Sequence, residues 1–292
     1  MFWQLLLTGL AIGSIYALVA LGFVLIYKAS GCLNFAQGEF LLLGAYVALT
    51  LVTTYKVPFL PAVILTLAVA ALAGLVVERL VLRPLIGEPV ISVIMVTLGL
   101  SALMRGIFQA LWGTDTRVFP PIFPQEPVSL GGVSVSAVYL WSLGLAVLLL
   151  LLLSLFFKFT TTGIVMRAVA DDQQAALSVG ISVKRVFGIT WAIAAVVAAV
   201  GGILLGNING VNASLASLGL KVLPVVILGG LESVPGAVVG GFVIGLIESF
   251  VGGYLDPLVG GGLREVVPFV ILLLVLLVRP YGLFGEEIIE RV

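Results

Sequence analysis

The sequence predicts an all-α, polytopic membrane bundle of about eight to nine transmembrane helices, one or two of them discontinuous. Of its 292 residues, 61% are hydrophobic and 10% are charged, and the mean hydropathy is +1.29. Soluble domains are roughly 45–50% apolar and 25% charged. Several apolar runs reach the ~20 residues that a spanning helix needs. Runs such as "LGLAVLLLLLLSLFF" do not alternate as the strands of a membrane barrel would.

Nine apolar segments are predicted to cross the membrane within one transmembrane domain, 1–292. They are 5–27, 36–54, 59–82, 90–112, 136–157, 185–206, 217–230, 235–252 and 264–279. The segment 217–230 is short, so it leaves the count open by one. The first segment is too long for the apolar core of a signal peptide and has no basic flank before it, so we expect a retained helix.

The positive-inside rule orients these segments with the N-terminus outside and the C-terminus in the cytoplasm. This orientation places nine cations in the cytoplasm: Lys28, Arg79, Arg83, Lys158, Arg167, Lys184, Arg185, Arg279 and Arg291. The external ones are Lys56, Arg117 and Arg264, with Arg105 and Lys221 near or within the membrane. The loop 113–135 becomes external, and its "VFPPIFPQEP" favours extended chain over helix. The largest cytoplasmic loop is 158–184.

A polar stretch, "RAVADDQQAALSVGI" at 167–181, interrupts the chain inside that cytoplasmic loop. Asp171 suits an N-cap, Gln174 a capping-box partner and Gly180 a left-handed C′ position. A helix of about eight residues is marginal alone, so it is expected to lie against a surface. That surface is either the protein itself or a cytoplasmic partner. Its exposed faces are expected to offer the small residues Ala175 and Ala176 and the larger apolar residues Leu177 and Val179.

Polar side chains within the apolar segments suggest a path for a solute, because such residues usually face a cavity or a partner helix. The candidates are Asn34, Gln37, Glu39, Thr97, Ser101, Arg105 and Glu232. The residues from Thr97 to Arg105 recur every fourth position, with Gln109 continuing the row on one helix face. Interhelical hydrogen bonding explains the row equally well, and Arg105 could reach the outer interface.

Two Gly-interrupted polar breaks, "NFAQGEF" and "LGGLESVPGAVVGG", resemble the discontinuous helices around transporter sites. A third polar cluster, "GNINGVN" at 206–212, is expected at the outer surface, as a docking or entry site or as a plain turn. Glu248 needs a neutral state or a partner, either Arg264 or Lys221. Helix packing is the favoured role for six glycines: Gly201, Gly202, Gly236, Gly240, Gly241 and Gly245.

Four stretches carry a resemblance that covers essentially the whole chain. They are "GSIYALVALGFVLIYKASGCLNFAQGEFLLLGAYVA" at 13–48, "MRAVADDQQAALSVGISVKRVFGITWAIAAVVAAVGGILLG" at 166–206, "ILGGLESVPGAVVGGFVIGLIES" at 227–249 and "VRPYGLFG" at 278–285. These stretches resemble the permease subunits of bacterial ABC importers for branched-chain amino acids. That family also serves urea, short amides and other small polar solutes.

The resemblance implies a permease subunit in the bacterial inner membrane that moves a small polar solute, most of all an amino acid. It implies ABC ATPase subunits, a second homologous permease and a solute-binding protein as partners, with membrane lipid around the bundle. ATP and Mg²⁺ would act in the ATPases, and this chain would hold no cofactor or metal. The polar loop helix would couple to the ATPase through Asp171, Asp172, Gln173, Gln174, Ala175, Ala176, Leu177, Ser178, Val179 and Gly180.

Two other function classes compete with this interpretation. A self-sufficient secondary transporter or channel would use buried carboxylates such as Glu39, Glu232 or Glu248, but it leaves the polar loop helix unexplained. A membrane enzyme is disfavoured because the sequence has no His and a single Cys, Cys32,. None of the five lysines follows a glycine, so the chain has no P-loop of its own. A zero formal charge gives no indication of nucleic acid.

Overall fold

The computed structural model describes residues 1–121, 127–130 and 133–285, which form a bundle of apolar helices with one small hairpin. The helices are α1 Phe2–Ser30, α2 Gln37–Thr53, α3 Phe59–Val77, α4 Val90–Trp112, α5 Ala137–Phe159, α6 Thr161–Asp171, α7 Gln173–Ser178, α8 Val183–Asn209, α9 Ser217–Gly229, α10 Val234–Phe250, α11 Asp256–Val259 and α12 Leu263–Val278. The strands β1 Pro127–Leu130 and β2 Val133–Ser136 pair antiparallel. The predicted all-α class is therefore confirmed.

All nine predicted segments coincide with helices. Within the described part of the chain, six helices are long and apolar enough to cross a membrane. They are α1, α3 with its π-helical and 3₁₀ continuation to Leu85, α4, α5, α8, and α10 extended to Val259. The other three, α2, α9 and α12, have 17, 13 and 16 residues, or about 25, 20 and 24 Å at 1.5 Å per residue. The protein is thus a multi-pass membrane protein in which some segments are too short to span alone.

Helix α1 is the centre of the bundle and is buried along most of its length. We call the end of the bundle at which α1 begins the upper end, and the end at which it finishes the lower end. Helix α10 lies antiparallel against α1, and a Cβ on Gly245 would overlap the backbone of Gly13. Gly241 meets Ala17 in the same way. The predicted packing role of the α10 glycines is confirmed, because they let two backbones approach closely.

Helix α2 begins inside the bundle and not at its lower end. The side-chain amide of Gln37, the first residue of α2, donates to the carbonyl of Ala194 at 3.1 Å. Ala194 is near the middle of α8, so residues 31–36 must return from the lower end of α1 to half its height. From there α2 rises to the upper end, where Thr50 accepts a 2.7 Å hydrogen bond from Trp112 of α4. The stretch "NFAQGEF" therefore contains a helix start inside the bundle, while α2 itself is continuous from Gln37 to Thr53.

Helix α9 also begins inside the bundle, and its start meets that of α2. Residues 210–216 descend from the upper end and include a 3₁₀ turn, Ala213–Ala216. A Cβ on Gly219 would overlap the backbone of Gly38, so the two helix starts touch at mid-height. The second break is therefore at 210–216. The predicted break at "LGGLESVPGAVVGG" is wrong, because Gly230 and Ser233 there form an ordinary turn that caps α10.

The upper end carries the β-hairpin, which the sequence did not predict. Gln4 donates a 2.7 Å hydrogen bond to the carbonyl of Ser134 and holds the hairpin against α1. Arg117 forms an isolated antiparallel bridge with Val211. Residues 122–126 of the predicted extended segment "VFPPIFPQEP" lie outside the described residues, as does Arg291 at the C-terminus.

Candidate functional site

A buried ion pair joins the inner start of α2 to α4. Glu39 is almost fully buried, and its Oε1 accepts from Arg105 Nη2 at 2.7 Å and from Arg105 Nε at 3.0 Å. Ser101, one turn earlier on α4, donates to the same oxygen at 3.1 Å. The structure thus brings together three of the predicted path residues. Of the alternatives left open for Arg105, the structure shows the guanidinium paired with Glu39 and not extended to the outer interface.

The amide side chains of Asn34 and Gln37 support the start of α2. Both are fully buried. Asn34 Nδ2 donates to Gln37 Oε1 at 3.2 Å, and Asn34 Oδ1 accepts from the backbone N–H of Ala36 at 3.0 Å. With the bond from Gln37 to Ala194, this network fixes the returning chain at mid-height. A network of satisfied buried amides rigidifies the backbone that it connects.

The remaining predicted path residues are placed less centrally. Thr97 is buried but bonds back to the carbonyl of Ile94 in its own helix at 2.9 Å. Gln109, which continues that row, is exposed. Glu232 is exposed in the turn between α9 and α10. It lies away from the Glu39 cluster, by which we mean Asn34, Gln37, Glu39, Ser101 and Arg105. The structure therefore groups Asn34, Gln37, Glu39, Ser101 and Arg105 at the α2 start and leaves Glu232 at the lower end.

The polar loop at the lower end folds as two helices, α6 and α7, and not as one. Asp171 is the last residue of α6, so its predicted role as N-cap is wrong. Asp172 caps α7 instead, and its Oδ1 accepts from the backbone N–H of Gln174 at 2.8 Å and of Ala175 at 2.9 Å. Gly180 has φ of 86°, as predicted. Helix α7 has six residues, fewer than the eight expected, because α6 takes the first aspartate.

One face of α7 packs against the protein and the other is open. Ala176 is buried in a lower-end cluster with Met166, Val169 and Phe187, so the expectation that it is exposed is wrong. Leu177 is 58% exposed and Val179 is 76% exposed. Because exposed large apolar side chains beside one another mark interaction sites, α7 presents an apolar edge at the lower end of the bundle.

Two contacts tie α6 and α7 to the lower end of α1. Lys28 Nζ lies 3.4 Å from Asp171 Oδ1. Gln173 Nε2 donates to the carbonyl of Ala29 at 2.9 Å. A displacement of α7 would therefore act directly on the last turn of α1, which runs through the centre of the bundle.

The upper end contains a polar cavity of about 340 Å³ between α1, α8, α9, α10 and α12. Its charged lining consists of Lys221, Glu248, Arg264 and Glu265. Arg264 Nε donates to Glu248 Oε1 at 3.2 Å, and Lys221 Nζ donates to Glu265 Oε1 at 3.4 Å. Of the two partners left open for Glu248, the structure selects Arg264. The "GNINGVN" cluster lines the mouth through Asn209, Gly210 and Asn212.

No local pattern groups Glu265 with Lys221, since 44 residues separate them. The signal that could have found the pair is two-fold: Lys221 is the basic residue of the short segment 217–230, and Arg264 and Glu265 open the last segment together. Basic and acidic residues at the ends of neighbouring spans usually pair or face water.

Comparison with known proteins identifies the chain. Residues 5–276 match the model of a family described as "Branched-chain amino acid transport system / permease component". The chain belongs to this family. The permease is 30% identical to the high-affinity branched-chain amino acid permease LivH of Salmonella typhimurium, over 100% of this chain and 98% of that protein. It is 32% identical to BraD of Pseudomonas aeruginosa, over 100% and 98%.

An archaeal relative extends this similarity. The probable permease LivH of Methanocaldococcus jannaschii is 31% identical over 97% of this chain and 93% of that protein. The chain is therefore a transport component, not an enzyme, and it works within a transport system of several components. Among residues 1–121, 127–130 and 133–285, no group of three or more acidic or Cys side chains could hold a metal ion.

Proposed function

We propose that this chain is the membrane-spanning permease subunit of an ATP-driven importer that carries amino acids, most of all branched-chain ones, into the cytoplasm. The family and its relatives support the transport role. The single structural observation that carries the mechanism is α7, a short capped helix with an open apolar edge, tied by Gln173 and Asp171 to the end of α1.

In this proposal the lower end faces the cytoplasm. Arg79, Lys184 and Arg185 line one cavity there, which agrees with the positive-inside rule. The upper end faces a solute-binding protein, and the protein is in the inner membrane with its N-terminus outside. ATPase subunits that hold ATP and Mg²⁺ dock on residues 171–180. A second homologous permease completes the channel, to which each of the two permeases contributes one transmembrane domain.

The Glu39 cluster supports a role at the path of the solute. It joins the inner start of α2, which touches the start of α9, to the peripheral helix α4. A small relative movement of these three helices opens or closes the region at mid-height without breaking regular secondary structure. Asn34, Gln37, Thr97, Ser101 and Arg105 are proposed to border this path, and Glu232 its cytoplasmic mouth.

The structure gives less support to a self-sufficient secondary transporter. Two of its candidate carboxylates, Glu39 and Glu248, each accept a hydrogen bond from an arginine. A carboxylate that already pairs with a guanidinium is less available to bind a coupling ion. The third, Glu232, is exposed. A permease for urea or short amides is the other alternative, and it differs from this proposal in the transported solute.

Co-purification tests this proposal. The full chain carries a C-terminal tag and is extracted gently from native membranes, and its partners are identified by mass spectrometry. We expect an ABC ATPase, a second permease and, after crosslinking, a binding protein. Recovery of the chain alone, from membranes in which a known ABC complex stays intact under the same conditions, would contradict the proposal and favour a secondary transporter.

A further inference from the structure

The upper cavity contains two positive and two negative side chains, all drawn from three helices. Lys221 belongs to α9, Glu248 to α10, and Arg264 and Glu265 to α12. Because the charges balance, a ligand that carries one charge of each sign can enter without leaving an excess of either sign behind. A ligand with a net charge would lose that balance in a partly desolvated site.

Glu248 is the buried carboxylate of this cluster. It is 2% exposed, its Oε1 accepts from Arg264 at 3.2 Å, and the phenol of Tyr16, which also lines the cavity, is a hydrogen-bond neighbour of the same carboxylate. Glu248 and Glu265 are the two carboxylate acceptors that the cavity lining offers to a donor on a ligand. An ammonium group has three N–H donors and a positive charge that suit this position.

The opposite sign is available next to it. The Arg264 side chain is 45% exposed, and one of its five N–H donors is used by Glu248,. A guanidinium is suited to binding a carboxylate through two parallel hydrogen bonds. Lys221, on α9, supplies a second cation at the same cavity. Glu248 can accept hydrogen bonds from an ammonium group, and the neighbouring Arg264 can donate to a carboxylate. The two side chains therefore match the two charged groups of an α-amino acid.

We propose that this cavity is a binding site for a zwitterionic amino acid within the permease itself, with the ammonium at Glu248 and the carboxylate at Arg264 and Lys221. The inference rests on the proposed function and adds a substrate site to it. The volume of about 340 Å³ is near the lower bound of ligand pockets, roughly 300–1,000 Å³, and suits one small solute. Urea has neither charge, so it would gain little from these four side chains.

Equilibrium binding of radiolabelled L-leucine to the assembled complex, without its binding protein, tests the site. Two analogues compete: 4-methylpentanoate, which lacks the ammonium, and 3-methylbutylamine, which lacks the carboxylate. The variants are Glu248→Gln and Arg264→Gln. Glu88→Gln and Arg79→Gln are matched controls, because both residues are exposed at the lower end of the bundle, outside the cavity.

We expect saturable leucine binding that each analogue displaces at least roughly tenfold more weakly than leucine does, since each loses a charge-assisted contact. Glu248→Gln and Arg264→Gln should weaken leucine binding by a similar factor, and the two controls should not. The competition series uses the wild-type complex, so it decides the question even where a variant fails to fold. Absent binding, or an analogue that competes as well as leucine itself does, would overturn the proposal.

Leucine uptake by the same wild-type complex with its binding protein separates the two proposals. Uptake with no leucine binding at the cavity would overturn the site and leave the proposed function in place. Absent uptake of leucine and every other amino acid would overturn the proposed function, and the assigned ligand with it.

Discussion

Arg105 of α4 lies 2.7 Å from the carboxylate of Glu39 on α2, and this ion pair is the main polar link between the two helices. Glu39 is almost fully buried, whereas the Arg105 side chain is 40% exposed. The two partners therefore differ in what each loses when the other is removed. The buried carboxylate depends on the arginine more than the arginine depends on the carboxylate.

Arg105→Gln should therefore destabilise the protein more than Glu39→Gln does. The first variant leaves a buried carboxyl group without its hydrogen-bonding cation and should lower the free energy of unfolding by about 2–4 kcal/mol. The second leaves an arginine that can reach solvent or headgroups, so the lost pairing costs about 1 kcal/mol or less. The thermal unfolding midpoints of the purified complex measure both effects.

The double variant Glu39→Gln with Arg105→Gln is the control. Because neither charge remains, it should be more stable than Arg105→Gln alone, and the cycle gives the coupling between the two residues. Two results together would refute this view of the pair: equal losses of stability in the two single variants, and a loss in the double variant that equals their sum.

Gly245 should tolerate no side chain, whereas an exposed glycine should. In Gly245→Ala the new Cβ overlaps the Gly13 backbone, and overpacking of this kind costs roughly 1–3 kcal/mol. Gly144→Ala is the matched control: Gly144 is exposed in α5, a Cβ there meets open space, and helix propensity favours Ala by about 1 kcal/mol. We expect opposite shifts of the unfolding midpoint, and a loss for both variants would contradict the packing assignment.

Val179→Arg should separate docking from folding. Val179 is 76% exposed, so the long charged side chain leaves the bundle intact but enters the proposed ATPase surface. We expect ATPase recovery in co-purification to fall roughly tenfold or more. Val118→Arg, at an exposed valine of the upper end, is the matched control. Unchanged ATPase recovery from Val179→Arg would remove α7 from the interface.

Ala176→Arg, in contrast, should impair folding as well as transport. Ala176 packs with Met166 and Phe187, and an arginine in that cluster would be buried without a partner. Its unfolding midpoint should fall well below that of Val179→Arg. A fully stable Ala176→Arg protein would show that α7 detaches from the cluster.

Gln37→Leu should impair transport and also lower stability. The leucine cannot accept the hydrogen bond that Asn34 donates to Gln37, nor donate to the carbonyl of Ala194 as Gln37 does. Leaving these buried groups without partners costs about 1–3 kcal/mol. ATPase recovery should remain normal, because α7 is at the lower end and Gln37 is at mid-height. Uptake kinetics that match the wild type would argue against a role of the α2 start in the path.

The sequence predicted the membrane class, all nine helical segments and the polar loop at the lower end. These follow from local properties: apolar run length, charge bias, and capping residues such as Gly180. The capping error arose because two aspartates, Asp171 and Asp172, stand side by side. Spacing alone does not show which of them ends α6 and which begins α7.

The sites required tertiary information. Residues 31–36 and 210–216 return to mid-height only because Gly38 and Gly219 allow two helix starts to touch, and no local pattern encodes that contact. The pairs Glu39–Arg105 and Lys221–Glu265 join residues 66 and 44 positions apart. Glu39 and Arg105 were each predicted from the sequence as path residues, but no sequence pattern predicts the contact between them.

The most direct test of the central claim is ATP-dependent uptake of radiolabelled leucine by the purified complex in proteoliposomes, with the binding protein on the side of the upper end. The account predicts accumulation that requires ATP and that is lost with Val179→Arg. Uptake that proceeds without ATP and follows an imposed proton or sodium gradient would contradict it.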